Sequence, residues 1–136
     1  MKHLLLLSVT LLFFLSACKK DNPPGSPEIK HGKNVFTTTV DGVEREYLVH
    51  VPQSYDGSAN VPMVFMLHGT GGEGQDMYDN SGWPAVGETE NILTVFPSSL
   101  RHCIFDEGEQ KTTAKWNSQP TDNWYFCPNV TPPDDI

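Results

Sequence analysis

At 136 residues and a formal net charge of −8, the chain has room for one domain at most. From Val35 onward four cations, Arg45, Arg101, Lys111 and Lys115, face fifteen carboxylates. Such a surface repels phosphate backbones, which excludes nucleic acid as a partner, and it is otherwise what a solvated soluble surface carries.

The first 34 residues do not read as globular sequence. Met1-Lys2-His3 opens with a positive charge, and Leu4 to Leu15 is an apolar run too short to span a membrane comfortably, as expected of a signal peptide. Leu15-Ser16-Ala17-Cys18 closes it and resembles the lipobox of bacterial lipoproteins, in which small residues precede a cysteine that receives lipid and becomes the mature N-terminus. The resemblance implies that residues 1–17 are removed, that Cys18 carries the anchor, and that a membrane is a partner through it. The protein would then be exported and held on a bacterial membrane, facing the periplasm or the cell surface. An ordinary secretory signal with a chance cysteine would also take the chain out of the cytoplasm. Residues 18–34, with three prolines, two glycines and a basic balance, read as an extended tether.

The folding part is therefore expected over residues 35–136. Val35 to Val40 is rich in β-branched residues, Asp41-Gly42 is a two-residue turn signal, and Val43 to Val51 resumes the strand, which predicts an antiparallel hairpin. Its polar alternation suits the edge of a larger sheet. Val61 to Leu67 has no such alternation and reads as a central strand buried on both faces. A short helix is expected around Trp83 to Glu90, with Pro84 in its first turn and Gly87 weakening it. Ile92 to Phe96, stopped by Pro97, reads as the next buried strand, giving a βαβ unit. Ser98 to Thr131 shows no regular period and reads as a long loop containing Phe105, Trp116, Trp124, Tyr125 and Phe126. Thr131-Pro132-Pro133-Asp134-Asp135 has the pattern of a helix start, with a capping hydroxyl, prolines and first-turn acids, so the chain reads as truncated at Ile136.

Cys103 and Cys127 remain as a pair once Cys18 is assigned to lipid. In an oxidising compartment a disulfide between them is open to formation, while spacing favours neither a metal site nor a nucleophilic thiol. Asp106, Glu107 and Glu109, and Asp134-Asp135, sit in polar stretches that suit solvated loops or a helix cap better than general acid–base work or calcium. Asn129-Val130-Thr131 matches a glycosylation acceptor, but a bacterial lipobox and the capping position of Thr131 speak against that use.

The chemistry points to one place. An apolar strand ends on His68-Gly69-Thr70-Gly71-Gly72, and a side-chain-poor bend at a strand end lets backbone N–H groups approach a ligand closely. Gly69 to Gly74 also satisfies G-x-G-x-x-G. A dinucleotide reading is opposed by the polar sequence after Gly74, by the lack of an acid at the end of the strand at Phe96, and by export. A glycine-rich turn with a satisfied histidine and no ligand is the plainer alternative.

With His68 included, the pattern resembles the H-G-x-G-G oxyanion loop of α/β-hydrolase esterases. The early Asp-Gly hairpin, the strand end Tyr47 to Pro52, the strand after Pro62, Trp83 before a helix, the strand ending at Pro97, the tryptophans at Trp116 and Trp124 and the close at Asp134-Asp135-Ile136 are similar to the N-terminal part of secreted feruloyl esterases and polyhydroxybutyrate depolymerases. The resemblance implies an α/β fold, an incomplete α/β-hydrolase with an N-terminal β-hairpin plus the first βαβ unit of a mostly parallel sheet. It implies serine-mediated ester hydrolysis with no cofactor and no metal. The substrate would be a hydroxycinnamoyl-polysaccharide or polyester ester, and the Thr70 N–H would be the oxyanion donor, with His68 structural.

The chain departs from that pattern in containing no G-x-S-x-G. Ser81, Ser98, Ser99 and Ser118 sit in no elbow motif, and His31, His50 and His102 read as surface or loop histidines rather than bases. The chain alone is expected to be inactive. An expectation of another class is a non-catalytic surface lipoprotein that stacks Trp116, Trp124 and Tyr125 on a polysaccharide.

Overall fold

The computed structural model describes residues 30–117, 126–131 and 135. The signal sequence, Cys18, most of the tether, Trp124, Tyr125 and most of the helix start at the C-terminal end lie outside the described residues. No helix among the described residues is long and apolar enough to cross a membrane.

The hairpin forms as β1 (Gly32–Val40) and β2 (Val43–Val51), joined through Asp41 and Gly42, both at positive φ. Two successive left-handed residues match the right-handed twist of the flanking strands. β1 begins at Gly32, inside the segment expected to be tether, because Gly32, Lys33 and Asn34 pair with Val51, His50 and Val49.

After a short β3 (Met63–Phe65), the chain makes α1 (Gly74–Asn80) and α2 (Trp83–Glu90) before β4 (Leu93–Pro97). The helix α1 was not expected. Glu73 and Asp76 make a reciprocal capping box at its start. Gly74 is required there because a Cβ would run into the Phe96 carbonyl oxygen, so glycine lets the helix lie directly on β4. Gly87 does the same for α2, where a Cβ would sit 2.8 Å from the Ile92 carbonyl oxygen.

The four strands make one sheet in the order β1-β2-β4-β3. β2 runs antiparallel to both β1 and β4, and β3 pairs with β4 in parallel. A second, two-stranded antiparallel sheet follows, β5 (Arg101–Asp106) and β6 (Glu109–Ala114). Cys103 on β5 is disulfide-bonded to Cys127, and Phe126 bridges to Ile104 beside it.

These features correct the expected α/β class. Six strands stand against two short helices among the described residues, and β3–β4 is the one parallel pair in a mixed sheet. The described residues form a mainly antiparallel, mixed arrangement and not clearly the first part of a mostly parallel α/β-hydrolase sheet. One reason is that β2 inserts next to β4 with reversed direction. The other is that the stretch read as a long loop supplies an antiparallel hairpin of its own.

The helices cover only one face of the four-stranded sheet. Leu48, Thr94 and Phe96 are buried beneath them, with the Tyr78 ring edge-on to Phe96 at 5.3 Å. The opposite face is apolar and carries a cavity of about 760 Å³ lined by residues that include Phe36, Tyr47, Val49, Met63, Phe65 and Trp116. β3 is accordingly an edge strand, not the doubly buried central strand expected, and Met63, Phe65 and Leu67 are 51%, 61% and 58% exposed. An uninterrupted apolar run shows that both faces shun water but does not supply the layer that would cover them.

Candidate functional site

The His68 loop starts where β3 releases its partner. The Met66 N–H still donates to the Val95 carbonyl at 2.8 Å, and the chain then turns at Gly69-Thr70-Gly71-Gly72. The Gly72 N–H closes that turn on the Gly69 carbonyl at 3.1 Å, and Gly71 has φ +85°. A closed four-residue turn with its third residue at positive φ is the type II arrangement, which calls for glycine at that place. The Gly71 N–H is taken by the Ala114 carbonyl at 2.8 Å. The exposed Thr70 is left with an amide that has no backbone acceptor among the described residues. An exposed amide without an internal acceptor, on a turn bonded at both sides, is the kind of group from which an oxyanion donor is built.

His68 is 4% exposed and fully engaged. Its Nδ1 lies 2.7 Å from the Gly69 carbonyl oxygen and its Nε2 accepts from the Ser99 N–H at 2.9 Å. An acceptor on one side and a donor on the other require a neutral imidazole with its proton on Nδ1. Neither nitrogen is left to move a proton for a substrate. The Trp116 ring packs on the imidazole with centroids 5.0 Å apart, and its Nε1–H donates to the His68 carbonyl at 3.0 Å. Lys115, between Ala114 and Trp116, donates from Nζ to Thr70 Oγ1 at 3.3 Å.

The β5–β6 hairpin thus grips the loop at its base from both ends. Ser99 and Arg101 reach it on the way in, the latter through an ion pair to Glu73 at 3.4 Å, and Ala114, Lys115 and Trp116 reach it on the way out. None of these partners was singled out from sequence as a support for the loop. The third glycine of G-x-G-x-x-G, Gly74, gives its N–H to the Ser98 hydroxyl at 3.0 Å and its missing side chain to the packing on β4.

Two of the serines weighed as nucleophiles have local tasks. Ser98 Oγ accepts from Gly74, Ser81 Oγ accepts from the Trp83 N–H at 3.3 Å, and the Ser99 hydroxyl is buried with no partner. Ser118 lies outside the described residues. Of the aromatics considered for sugar stacking, Trp116 is half-buried and held by His68. Asp135 sits in a bridge between sheets, with Oδ1 3.1 Å from Arg45 and Oδ2 accepting the Asn117 N–H at 2.7 Å.

His50, read as a surface or loop histidine, is 7% exposed. Its Nε2–H donates to Glu88 at 2.8 Å, and Nδ1 lies 2.9 Å from the Tyr78 hydroxyl. The Gln53 N–H bond, then burial and the His50 contact acting against each other, leave the Glu88 carboxyl below its ordinary range. Burial pushes the Tyr78 phenol up, so it stays protonated and donates to His50. This chain of bonds ties α1 and α2 to β2 and keeps every polar group in it satisfied. His102, also expected at the surface, is half-buried on β5 with its ring edge-on to Phe126 at 5.7 Å. His31 remains exposed, with Nε2 2.9 Å from the Tyr55 carbonyl oxygen.

Among the described residues, no three His, Cys, Asp or Glu side chains come together to hold a metal ion. No protein-family model matches the chain, and no curated protein matches it.

Proposed function

We propose that this chain supplies the oxyanion loop of an exported serine carboxylic ester hydrolase, of the kind represented by feruloyl esterases and polyhydroxybutyrate depolymerases. The observation that supports it is the turn at Gly69 to Gly72. It leaves the amide of the exposed Thr70 without a backbone acceptor among the described residues, while His68, Ala114 and Trp116 bond to the surrounding backbone. Donors fixed before the reaction cost no reorganisation when charge develops on a carbonyl oxygen, which is how such loops accelerate acyl transfer. The sheet class plays no part in the proposal, which rests on the loop and its bracing.

The roles divide accordingly. Thr70 donates, Gly69 and Gly71 shape the turn, Gly72 closes it, and the neutral His68 clamps it. The sequence holds no G-x-S-x-G, so the proposal assigns no nucleophile here and expects no ester hydrolysis from the chain alone. The chain's place at a membrane, through Cys18, belongs to the same proposal.

Reading the coding DNA past the codon for Ile136 tests it. A G-x-S-x-G within a few dozen codons, with an acid and a histidine beyond it, is the expected result. The longer product should hydrolyse a p-nitrophenyl ester, and Thr70→Pro, which removes the donor, should cut kcat by about 100-fold or more. A stop codon at once, or a Thr70→Pro enzyme as fast as its parent, overturns the assignment.

A further inference from the structure

The two edges of the four-stranded sheet differ in what they offer another strand. β3 is three residues long and follows Pro62, which has no N–H to give, so it has little to pair with. β1 is nine residues long, in unbroken register with β2, and its run Phe36-Thr37-Thr38-Thr39-Val40 has neither proline nor charge. Thr37, Thr38 and Thr39 are exposed, and Val35 and Val40 are 57% and 43% exposed, so this edge meets solvent. The direction of its backbone groups follows from the register. Antiparallel partners alternate between pairs that exchange both hydrogen bonds and pairs that exchange none. The Ser98 N–H donates to the Glu46 carbonyl at 3.0 Å, so Glu46 points its carbonyl at β4 and away from its β1 partner, Thr37. Thr37 therefore belongs to an unbonded pair, and with Lys33, Val35 and Thr39 it points N–H and C=O out from the free edge. The two-residue turn at Asp41-Gly42 gives the same phase, because it closes on a bonded Val40–Val43 pair. Among the described residues, no backbone group outside the hairpin bonds to those outward groups.

We propose that β1 pairs with β1 of a second copy of this chain, antiparallel about a two-fold axis at Thr37, so that one sheet runs through both copies. The inference stands apart from the role of the His68 loop. Charge selects both the occupant and the register. An axis at Thr37 sets Val35 opposite the partner's Thr39 and Lys33 opposite the partner's Asp41, which joins opposite charges at both ends of the contact. An axis at Val35 sets Lys33 opposite Thr37 instead, and an axis at Thr39 sets Thr37 opposite Asp41, so neither makes the match. Lys33 is exposed and touches Gln75 and, at 4.9 Å, the Tyr78 ring, both neutral. Asp41 is exposed and makes no ion pair among the described residues. The same register puts Phe36 beside the partner's Thr38, and both positions line the cavity, so the apolar faces of the two copies become continuous.

The test follows the full chain in density-matched detergent micelles by sedimentation equilibrium and by amide hydrogen exchange, concentrated and dilute. A reversible dimer is expected. The amides of Val35, Thr37 and Thr39 should exchange slowly when the chain is concentrated and fast when it is dilute, while those of Phe36 and Thr38, bonded within the hairpin, stay slow at both. Thr37→Pro removes an N–H that carries no bond inside the chain, so it should abolish the dimer and keep the native melt. Lys33→Glu sets like charges opposite one another and should weaken the dimer by about tenfold, and adding Asp41→Lys should recover it. That pair of variants decides the question if the proline variant fails to fold. A chain that stays monomeric up to about 1 mM overturns the proposal. A dimer whose Thr37 amide exchanges fast, or one that Lys33→Glu leaves unchanged, overturns it as well, because the copies then meet elsewhere or in another register. A monomer whose Thr37 amide is slow also overturns it and gives the edge to another segment of the same chain.

Discussion

The two hairpins of this protein turn in the same way and are held in opposite ways. Asp41-Gly42 and Glu107-Gly108 each place two successive residues at positive φ, 52° and 77° in the first and 53° and 85° in the second. β1–β2 then merges into a four-stranded sheet and buries Leu48 and Val51. β5–β6 stands as a sheet of two strands, a size that is marginal in water by itself. It is fastened from outside by the Cys103–Cys127 bond, the Ile104–Phe126 bridge and the contacts of its base with the His68 loop. The first hairpin is scaffold, and the second is a brace whose stability comes from what it holds. Perturbing each should therefore have a different reach.

The largest effect is expected from Leu48→Ala. Leu48 is 1% exposed on β2, between β1 and β4, so truncation should cost about 2–5 kcal/mol and lower the urea midpoint of the whole chain. If β5–β6 signals melted first in this variant and β4 kept its protection, the scaffold role of β1–β2 would be wrong. Next comes Cys103→Ala with Cys127→Ala, which opens a link spanning a sequence separation of 24. Loop-closure entropy puts the cost at about 3 kcal/mol, and it should fall locally. Amide exchange should quicken in β5, β6 and residues 69–72 while β1 and β2 keep their rates. Uniform loss of protection would mean that the brace and the scaffold are one cooperative unit.

The contrast also explains what could be read from sequence. β1–β2 was legible because its signals are local, a β-branched run and an Asp-Gly turn. α2 was legible for the same reason, from Pro84 at its start. β6, Glu109 to Ala114, is polar and mostly exposed, and its turn has glutamate where asparagine or aspartate would have signalled a hairpin. The apolar run at β3 was seen, but no residue in it says that the sheet's second face opens onto a cavity. The glycine loop was evident, yet the bonds that fix it join His68 to residues 31 and 48 positions away. His50 was misplaced on the surface because its burial depends on Tyr78 and Glu88, 28 and 38 positions downstream. Contacts of that range leave no periodic trace in a single chain.

A smaller effect should come from pH, and it should fall on the brace. Burial holds the His102 imidazole below its ordinary value of 6.5, with Arg45 acting in the same direction and Asp135 against it. Its Nε2 is buried with no hydrogen-bond partner among the described residues, so the neutral ring fits the site better than the charged one. The unfolded chain then binds the proton more readily than the folded one, and stability is lost as pH falls below about 6.5. The slope from one group is at most about 1.4 kcal/mol per pH unit. Thermal melts between pH 7.5 and 5 should show this loss, and His102→Gln should flatten it. A His102→Gln profile that still falls in parallel with the parent would place the sensitivity elsewhere.

The mildest change should make the two hairpins more alike. Glu107 adopts φ 53°, a left-handed conformation that a long side chain enters at a cost and asparagine tolerates well. Glu107→Asn gives the Asn-Gly pair that suits a turn with two positive φ values, and it leaves the neighbouring Asp106–Lys111 ion pair in place. The expected gain is about 0.5 kcal/mol, read as slower exchange in β5 and β6 rather than as a shift in the midpoint of the whole chain. The gain should persist in the chain without its disulfide, because the turn acts on the hairpin's own closure while Cys127 acts from outside it. If slower exchange appeared only with the disulfide intact, the turn could not act alone, and the hairpin would owe its form wholly to the contacts that surround it.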